Sequence, residues 1–246
     1  MQLTLALAHR KNACMIYGTS QRGMKREEQM RKTLLFSIAM LLPATALAAP
    51  HGVTLSPNGA MTLFHGTPGK HMLSNWNPPK GKKAIFSTFG AGNAYDPGNG
   101  WTVADPGTVG FTQWFAFPIT PSADATVTEI AEAIGYVAGT NSVTVALMDD
   151  NGGVPGNVLQ EKTVKNLDTF GNCCNVAVDK VKGGIQVKAG TTYWVAALLP
   201  KKKQSTTWDA WNFSTENQNV VPAAFYNGTS WVQTTANYSA FAVYGK

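Results

Sequence analysis

Over residues 111–244 the chain runs as short apolar or alternating stretches, each stopped by Gly, Pro, Asn or Asp. None has the length and the 3.6-residue period of a long amphipathic helix, so the pattern restricts the fold to strands joined by tight turns. Val143, Val145 and Leu147 alternate with Thr144, Ala146 and Met148, which predicts a half-buried strand. Tyr193-Trp194-Val195-Ala196-Ala197-Leu198-Leu199 is short and apolar on both faces, as a central strand covered on both sides would be. Further strands are expected at 84–89, 111–117, 158–164, 176–178, 185–187 and 241–244. Residues 126–137 contain the helix-like Glu129-Ile130-Ala131-Glu132-Ala133-Ile134, but the brevity of the run and its flanking Thr, Gly135 and Tyr136 favour a strand. Asp149-Asp150-Asn151-Gly152-Gly153 reads as a turn, and 90–110 as turn-rich. The expected fold class is all-β: a single β-sandwich or jelly-roll-like domain.

The first fifty residues set the compartment. Arg31-Lys32, an apolar run at 34–42, Pro43 and Ala46-Leu47-Ala48 follow the order of a secretory signal peptide, positive, then apolar, then small-x-small. The run is far shorter than the roughly 20 residues of a membrane-spanning helix. Cleavage is expected between Ala48 and Ala49, and no Cys follows it to carry a lipid. Residues 1–29 read as an upstream extension from a start assigned too early, with Met30 or Met24 as the initiator. Residues 30–48 are the signal peptide, 49–89 an irregular lead-in rich in Pro, Gly and Lys, and 90–246 the sandwich. Of the 20 basic and 14 acidic residues, seven and two fall in 1–48; thirteen Lys, no Arg and twelve acids remain, a net charge of +1. Without Arg or a positive field, the chain lacks the main tools for phosphate and base recognition, which excludes nucleic acid as a partner. Residues 49–246 contain no transmembrane segment and stop at Lys246 without an anchor, so a secreted or periplasmic protein is expected.

The residues that carry chemistry do not assemble into a catalytic signature. Cys173-Cys174 is the one cysteine pair after the leader. In an oxidising compartment it reads as a vicinal disulfide that stiffens a turn, with two free thiols, bridges between chains or a redox switch as alternatives. His51, His65 and His71 fit no metal-ligand spacing, and Asp149-Asp150-Asn151-Gly152 lacks the closing Glu of a calcium loop. No metal or other cofactor is called for. There is no Gly-x-Ser-x-Gly elbow. A carboxylate pair for glycoside cleavage would have to draw on Glu129, Glu132, Glu161, Glu216 or the eight Asp, which sit mostly in turns. All seven Trp follow the leader; Trp194 and Trp114 read as core. Trp208-Asp209-Ala210-Trp211-Asn212 follows Lys201-Lys202-Lys203 in what reads as a loop or short edge strand. An exposed Trp208–Trp211 pair beside Asp209 and Asn212 would stack on sugar rings and bond their hydroxyls; the competing reading is that these Trp plug one end of the sandwich.

The order Asp149-Asp150-Asn151-Gly152-Gly153-Val154-Pro155-Gly156, Cys173-Cys174, Ala189-Gly190-Thr191-Thr192-Tyr193-Trp194-Val195, Trp208-Asp209-Ala210-Trp211-Asn212 and Phe241-Ala242-Val243-Tyr244-Gly245 resembles the secreted bacterial domains called choice-of-anchor R. The resemblance covers about residues 90–246 and implies an extracytoplasmic β-sandwich, in a family with no established catalytic residues to carry across. The expected function is a non-enzymatic secreted binding or structural module, recognising a glycan or another cell-envelope component. The alternatives are a secreted polysaccharide hydrolase and a matrix or adhesive subunit that assembles through sheet edges or the two cysteines.

Overall fold

Strand alternation builds the core directly. In β9 (Ser142–Asp150) Val143, Val145 and Leu147 point to one side, and in β12 (Tyr193–Leu198) Tyr193, Val195 and Ala197 point to the same side. The computed structural model describes residues 52–55, 59–64, 72–73, 77–78, 80–172, 176–200, 206–216 and 219–246, all within the unit Ala49–Lys246. Its strands form three sheets. Sheet I runs β1 (Gly52–Leu55), β2 (Met61–Phe64), β5 (Ala94–Ala104), β13 (Thr207–Ser214) and β8 (Ile134–Gly139), with β3 (Met72–Leu73) also on β5. Sheet II runs β11 (Ala177–Val187), β7 (Ala125–Glu132), β16 (Phe241–Gly245) and β4 (Lys83–Ser87). Sheet III runs β10 (Pro155–Lys165), β9, β12, β6 (Trp114–Ile119), β14 (Val220–Tyr226) and β15 (Trp231–Asn237). Neighbouring strands in all three are antiparallel. One four-residue helix, α1 (Pro106–Val109), is the only α-helix among the described residues, and no helix there is long and apolar enough to cross a membrane.

The fold is all-β and sandwich-like. The main core draws on all three sheets: Trp101, Val103 and Trp211 from sheet I, Ile130, Phe241 and Val243 from sheet II, Phe115, Phe117, Val145 and Val195 from sheet III. Aromatic contacts join them. Trp101 stacks on Phe115 at 4.6 Å and 13°, Phe117 meets the edge of Trp211 at 5.4 Å, and Phe117 stacks on Phe241 at 6.0 Å. Each such pair adds about 0.5–1.5 kcal/mol beyond the area it buries. Sheets I and II are continuous at Ala133, whose N–H bonds Ala240 O while its carbonyl accepts the Asn212 N–H.

Several expectations are corrected. The lead-in at 49–89 is not wholly irregular: among its described residues it supplies β1, β2 and β3, beside β4, the strand expected near 84–89, which pairs with β16. The turn-rich 90–110 is mostly one strand, β5. Its Asp96-Pro97-Gly98-Asn99 segment is taken up as a bulge, because the register to β13 jumps from Asn212–Gly100 to Phe213–Asp96. The Asp96 carboxylate closes that bulge by accepting Gly98 N–H at 2.8 Å and Asn99 Nδ2 at 2.7 Å. The separate runs at 176–178 and 185–187 are one strand, β11. Gly183 and Gly184, at φ +83° and +76°, absorb the register jump between them in a left-handed conformation that favours glycine. The 208–213 segment is neither loop nor edge: β13 lies between β5 and β8. Strands β14 and β15 were not anticipated.

Candidate functional site

The site grows out of the face of sheet III turned away from the main core. Pairing brings Ala146 of β9 opposite Ala196 of β12, Ala196 opposite Ala116 of β6, and Ala116 opposite Ala224 of β14. Four alanines thus form one row across four strands, and all are buried in a second cluster with Met148, Trp194 and Leu198, on which Trp114, Val154 and Trp231 pack. Methyl groups keep this row low, and the large side chains two residues along each strand rise beside it.

Trp194, 2 % exposed, is core as expected, in this outer cluster and not in the main one; Trp114 is half-buried and packs on both clusters. Trp194 Nε1 donates to Asp150 Oδ1 at 2.8 Å, and the same carboxylate accepts Gly153 N–H at 3.1 and 3.2 Å. Gln233 Nε2, from β15, donates to Gly153 O at 2.9 Å, which ties the β9–β10 turn to the far edge of the sheet. Asp149 is equally committed, to the N–H of Asn157 and its Nδ2. Turn formation therefore accounts for both aspartates.

Two hollows open at the two ends of this face. The larger, about 710 Å³, is lined by Pro118 and Pro222 as apolar surface, with the half-buried rings of Phe86 and Tyr238 at one side, while the buried Trp194 adds almost no surface to it. Thr120, Thr192, Gln233, Thr234, Thr235 and Asp150 supply its polar groups. Thr120 Oγ1 and Thr192 Oγ1 lie 3.4 Å apart on the exposed rim. The smaller, about 330 Å³, is lined by Trp114, Leu198, Pro200, Thr144, Thr163 and Glu161, and the two threonine hydroxyls bond each other at 3.0 Å. Beside it runs a row of half-buried rings: Trp114 stacks on Tyr226 at 4.5 Å and 20°, and Tyr226 meets Trp231 at 5.7 Å. Among the described residues neither hollow is lined by Lys, Arg or His.

The Trp208, Asp209, Trp211 and Asn212 group singled out from sequence does not make this site. Trp208 and Trp211 stand three apart in a strand, so they point to opposite faces. Trp211 is fully buried in the main core, its Nε1 donating to Ala240 O at 3.2 Å. Trp208 is half-buried against Phe170, Ala210 and Val137 on the other face. Asp209 is fully buried, and Asn212, nearly so, donates Nδ2 to Asp96 O at 2.9 Å. The exposed Trp pair is therefore withdrawn. His51, His65, His71, Cys173, Cys174, Ala48 and Ala49 lie outside the described residues. Among the described residues no group of three or more His, Cys, Asp or Glu is placed to hold a metal.

The acids are scattered or sealed. Glu129 pairs with Lys82 at 3.8 Å, Glu216 accepts the Ala91 N–H at 3.2 Å, and Glu161 lines the smaller hollow. Glu132 and Asp179 come together, since the charge of Asp179 adds to burial in holding the Glu132 carboxyl well above the ordinary carboxylate range. They sit inside the sandwich, 0 % and 1 % exposed, where no glycosidic bond reaches them. Comparisons with protein-family models, curated proteins and solved structures gave no match.

Proposed function

We propose that this chain is a non-catalytic carbohydrate-binding module that holds neutral sugars on the outer face of sheet III. The larger hollow carries the reading. Its volume of about 710 Å³ suits a small ligand, its proline and aromatic surface suits the C–H face of a pyranose, and hydroxyls and one amide surround that surface. Threonine hydroxyls and the Gln233 amide both donate and accept, as sugar hydroxyls require. The Asp150 carboxylate, with no cation among the described lining residues, disfavours acidic glycans. The leader pattern at 30–48 and the resemblance to choice-of-anchor R domains support an extracytoplasmic setting, where such ligands occur.

A glycan array probed with the full chain tests the reading. Binding is expected to neutral glycans in preference to uronic-acid and sulfated ones. Thr192→Val, which removes a rim hydroxyl and keeps the side-chain shape, is expected to weaken binding about tenfold, equivalent to one lost hydrogen bond of about 1.4 kcal/mol. Failure of the parent chain to bind any neutral glycan would refute the proposal.

A further inference from the structure

An Asn followed by Gly exposes its side-chain amide to attack by the chain itself, because no Cβ on the second residue screens the backbone nitrogen. The pair occurs at 58–59, 99–100, 151–152 and 227–228, and Asn58 lies outside the described residues. Asn99 is half-buried with its Nδ2 held by Asp96 at 2.7 Å, and Gly100 is buried in β5 opposite Asn212. The other two pairs sit in exposed turns, but their side chains are held differently. Asn151 bonds Val154 O through its backbone N–H at 2.8 Å, and its side-chain amide has no partner among the described residues. Asn227 lies in the turn between β14 and β15, closed by its own N–H on Ser230 O at 3.2 Å and by the Tyr226 hydroxyl on Gly228 O at 3.1 Å. Its Oδ1 accepts the N–H groups of Thr229 at 2.9 Å and Ser230 at 3.0 Å. Its Nδ2 and the Gly228 N–H have no partner among the described residues.

Two N–H groups fixed on one carbonyl oxygen stabilise the negative charge that develops there when a nucleophile adds to the carbonyl carbon. We infer that Asn227 is a self-modification site, at which the folded turn speeds the deamidation of its own asparagine. The Gly228 nitrogen attacks Asn227 Cγ, and the charge forming on Oδ1 is met by the Thr229 and Ser230 N–H groups. The Cγ–Nδ2 bond then breaks, and ammonia leaves with the proton that Gly228 N has given up through water. The product is a five-membered imide between the two residues. Water adds to either imide carbonyl and opens the ring to aspartate or to isoaspartate, so the turn gains one negative charge. The isoaspartate form also lengthens the main chain by one methylene beside Gly228 O, the acceptor of the Tyr226 hydroxyl. The inference is independent of the sugar-binding function proposed above.

The molecule carries its own control, because Asn151-Gly152 is equally exposed and lacks the two donors. The full chain is held in mildly alkaline, isotopically labelled water and sampled over days by peptide mapping with mass spectrometry. The label enters at hydrolysis, which separates conversion during the incubation from conversion during handling. Aspartate and isoaspartate are expected to accumulate at position 227 about tenfold faster than at 151, less than an oxyanion donor gives in a water-excluded site because this turn is exposed. In concentrated urea, where both turns are lost, the two positions are expected to convert at about the same pace. Equal rates in the folded chain, a faster Asn151 or no conversion at Asn227 overturns the inference. An advantage for Asn227 that persists unchanged in urea also overturns it, since the cause would then be local sequence and not the turn.

Discussion

Trp211→Ala is expected to lower the stability of the domain by about 3–5 kcal/mol, the range for removing a large aromatic from a packed core. Trp211 is completely buried, in contact with the edge of Phe117 and with Phe241 at 5.6 Å, and it lies where all three sheets meet. Truncation opens a cavity that strands β5, β13 and β8 cannot close without shifting the ladder, because Trp211 is paired on both sides, with Trp101 and Ile134. It also takes away the donor that bonds Ala240 O. For a unit of about this size the loss corresponds to a fall in Tm on the order of 10 °C. Trp208→Ala, on the opposite face and half-buried, is expected to cost about 1–2 kcal/mol. Thermal and urea melts of the two variants separate the cases. A Trp211→Ala protein as stable as its parent, or one that is less stable only because it has lost bound sugar, would contradict the buried placement. Glycan binding per folded molecule is expected to survive the change.

That contrast shows what the sequence makes legible. β6, β9, β12 and β16 were readable because each carries large apolar residues at alternate positions, such as Val143, Val145 and Leu147. β13 was not, because its inward positions include Asp209 and its neighbours include three lysines, a pattern that imitates an exposed loop. Once it is known to be a strand, period-two alternation alone rules out a flat Trp208–Trp211 platform. β14 and β15 did carry a signal: Asn227-Gly228 sits between two apolar-containing runs, and the Asn227 side chain accepts the N–H groups of Thr229 and Ser230 at 2.9 and 3.0 Å. The candidate site carried almost none. Ala116, Ala146, Ala196 and Ala224 are unremarked residues spread over more than a hundred positions, and their row exists only after four strands have paired in register. Threonine hydroxyls and proline rings are common in any β protein, so nothing short of the pairing brings Thr120, Thr192 and Pro222 to one hollow.

The stability of the domain is expected to be greatest near pH 4 and to fall as the pH rises toward neutrality. Glu132 and Asp209 are fully buried, and none of their four carboxylate oxygens has a hydrogen-bond partner among the described residues. Glu132 sits between Ala177 and Phe241, and Asp209 between Val103 and Tyr136. Burial holds both carboxyls well above the ordinary range, and Asp179 adds to this at Glu132. Burial also raises Asp105 to about 6, against the opposing hydrogen bond from Trp114. In each case the folded state binds the proton more tightly than the unfolded chain, so stability is fully present below the unfolded pKa of about 4 and is lost as the pH climbs toward the folded value. For Asp105 that window runs from about 4 to about 6. The exposed Asp124, lowered by the Ala189 N–H and by Lys188, acts in the opposite sense below that range and sets the acid side of the optimum. Asp209→Asn and Glu132→Gln together remove the two charges that the interior cannot solvate. At pH 7 the double variant is expected to be more stable than its parent by about 2 kcal/mol or more, and at pH 4 to be no more stable. Urea midpoints measured across that interval decide it. A parent whose stability is flat or rising from pH 4 to 7 would show that these carboxyls are not held in the interior, and a double variant that keeps the parent's slope would assign the pH dependence to other groups.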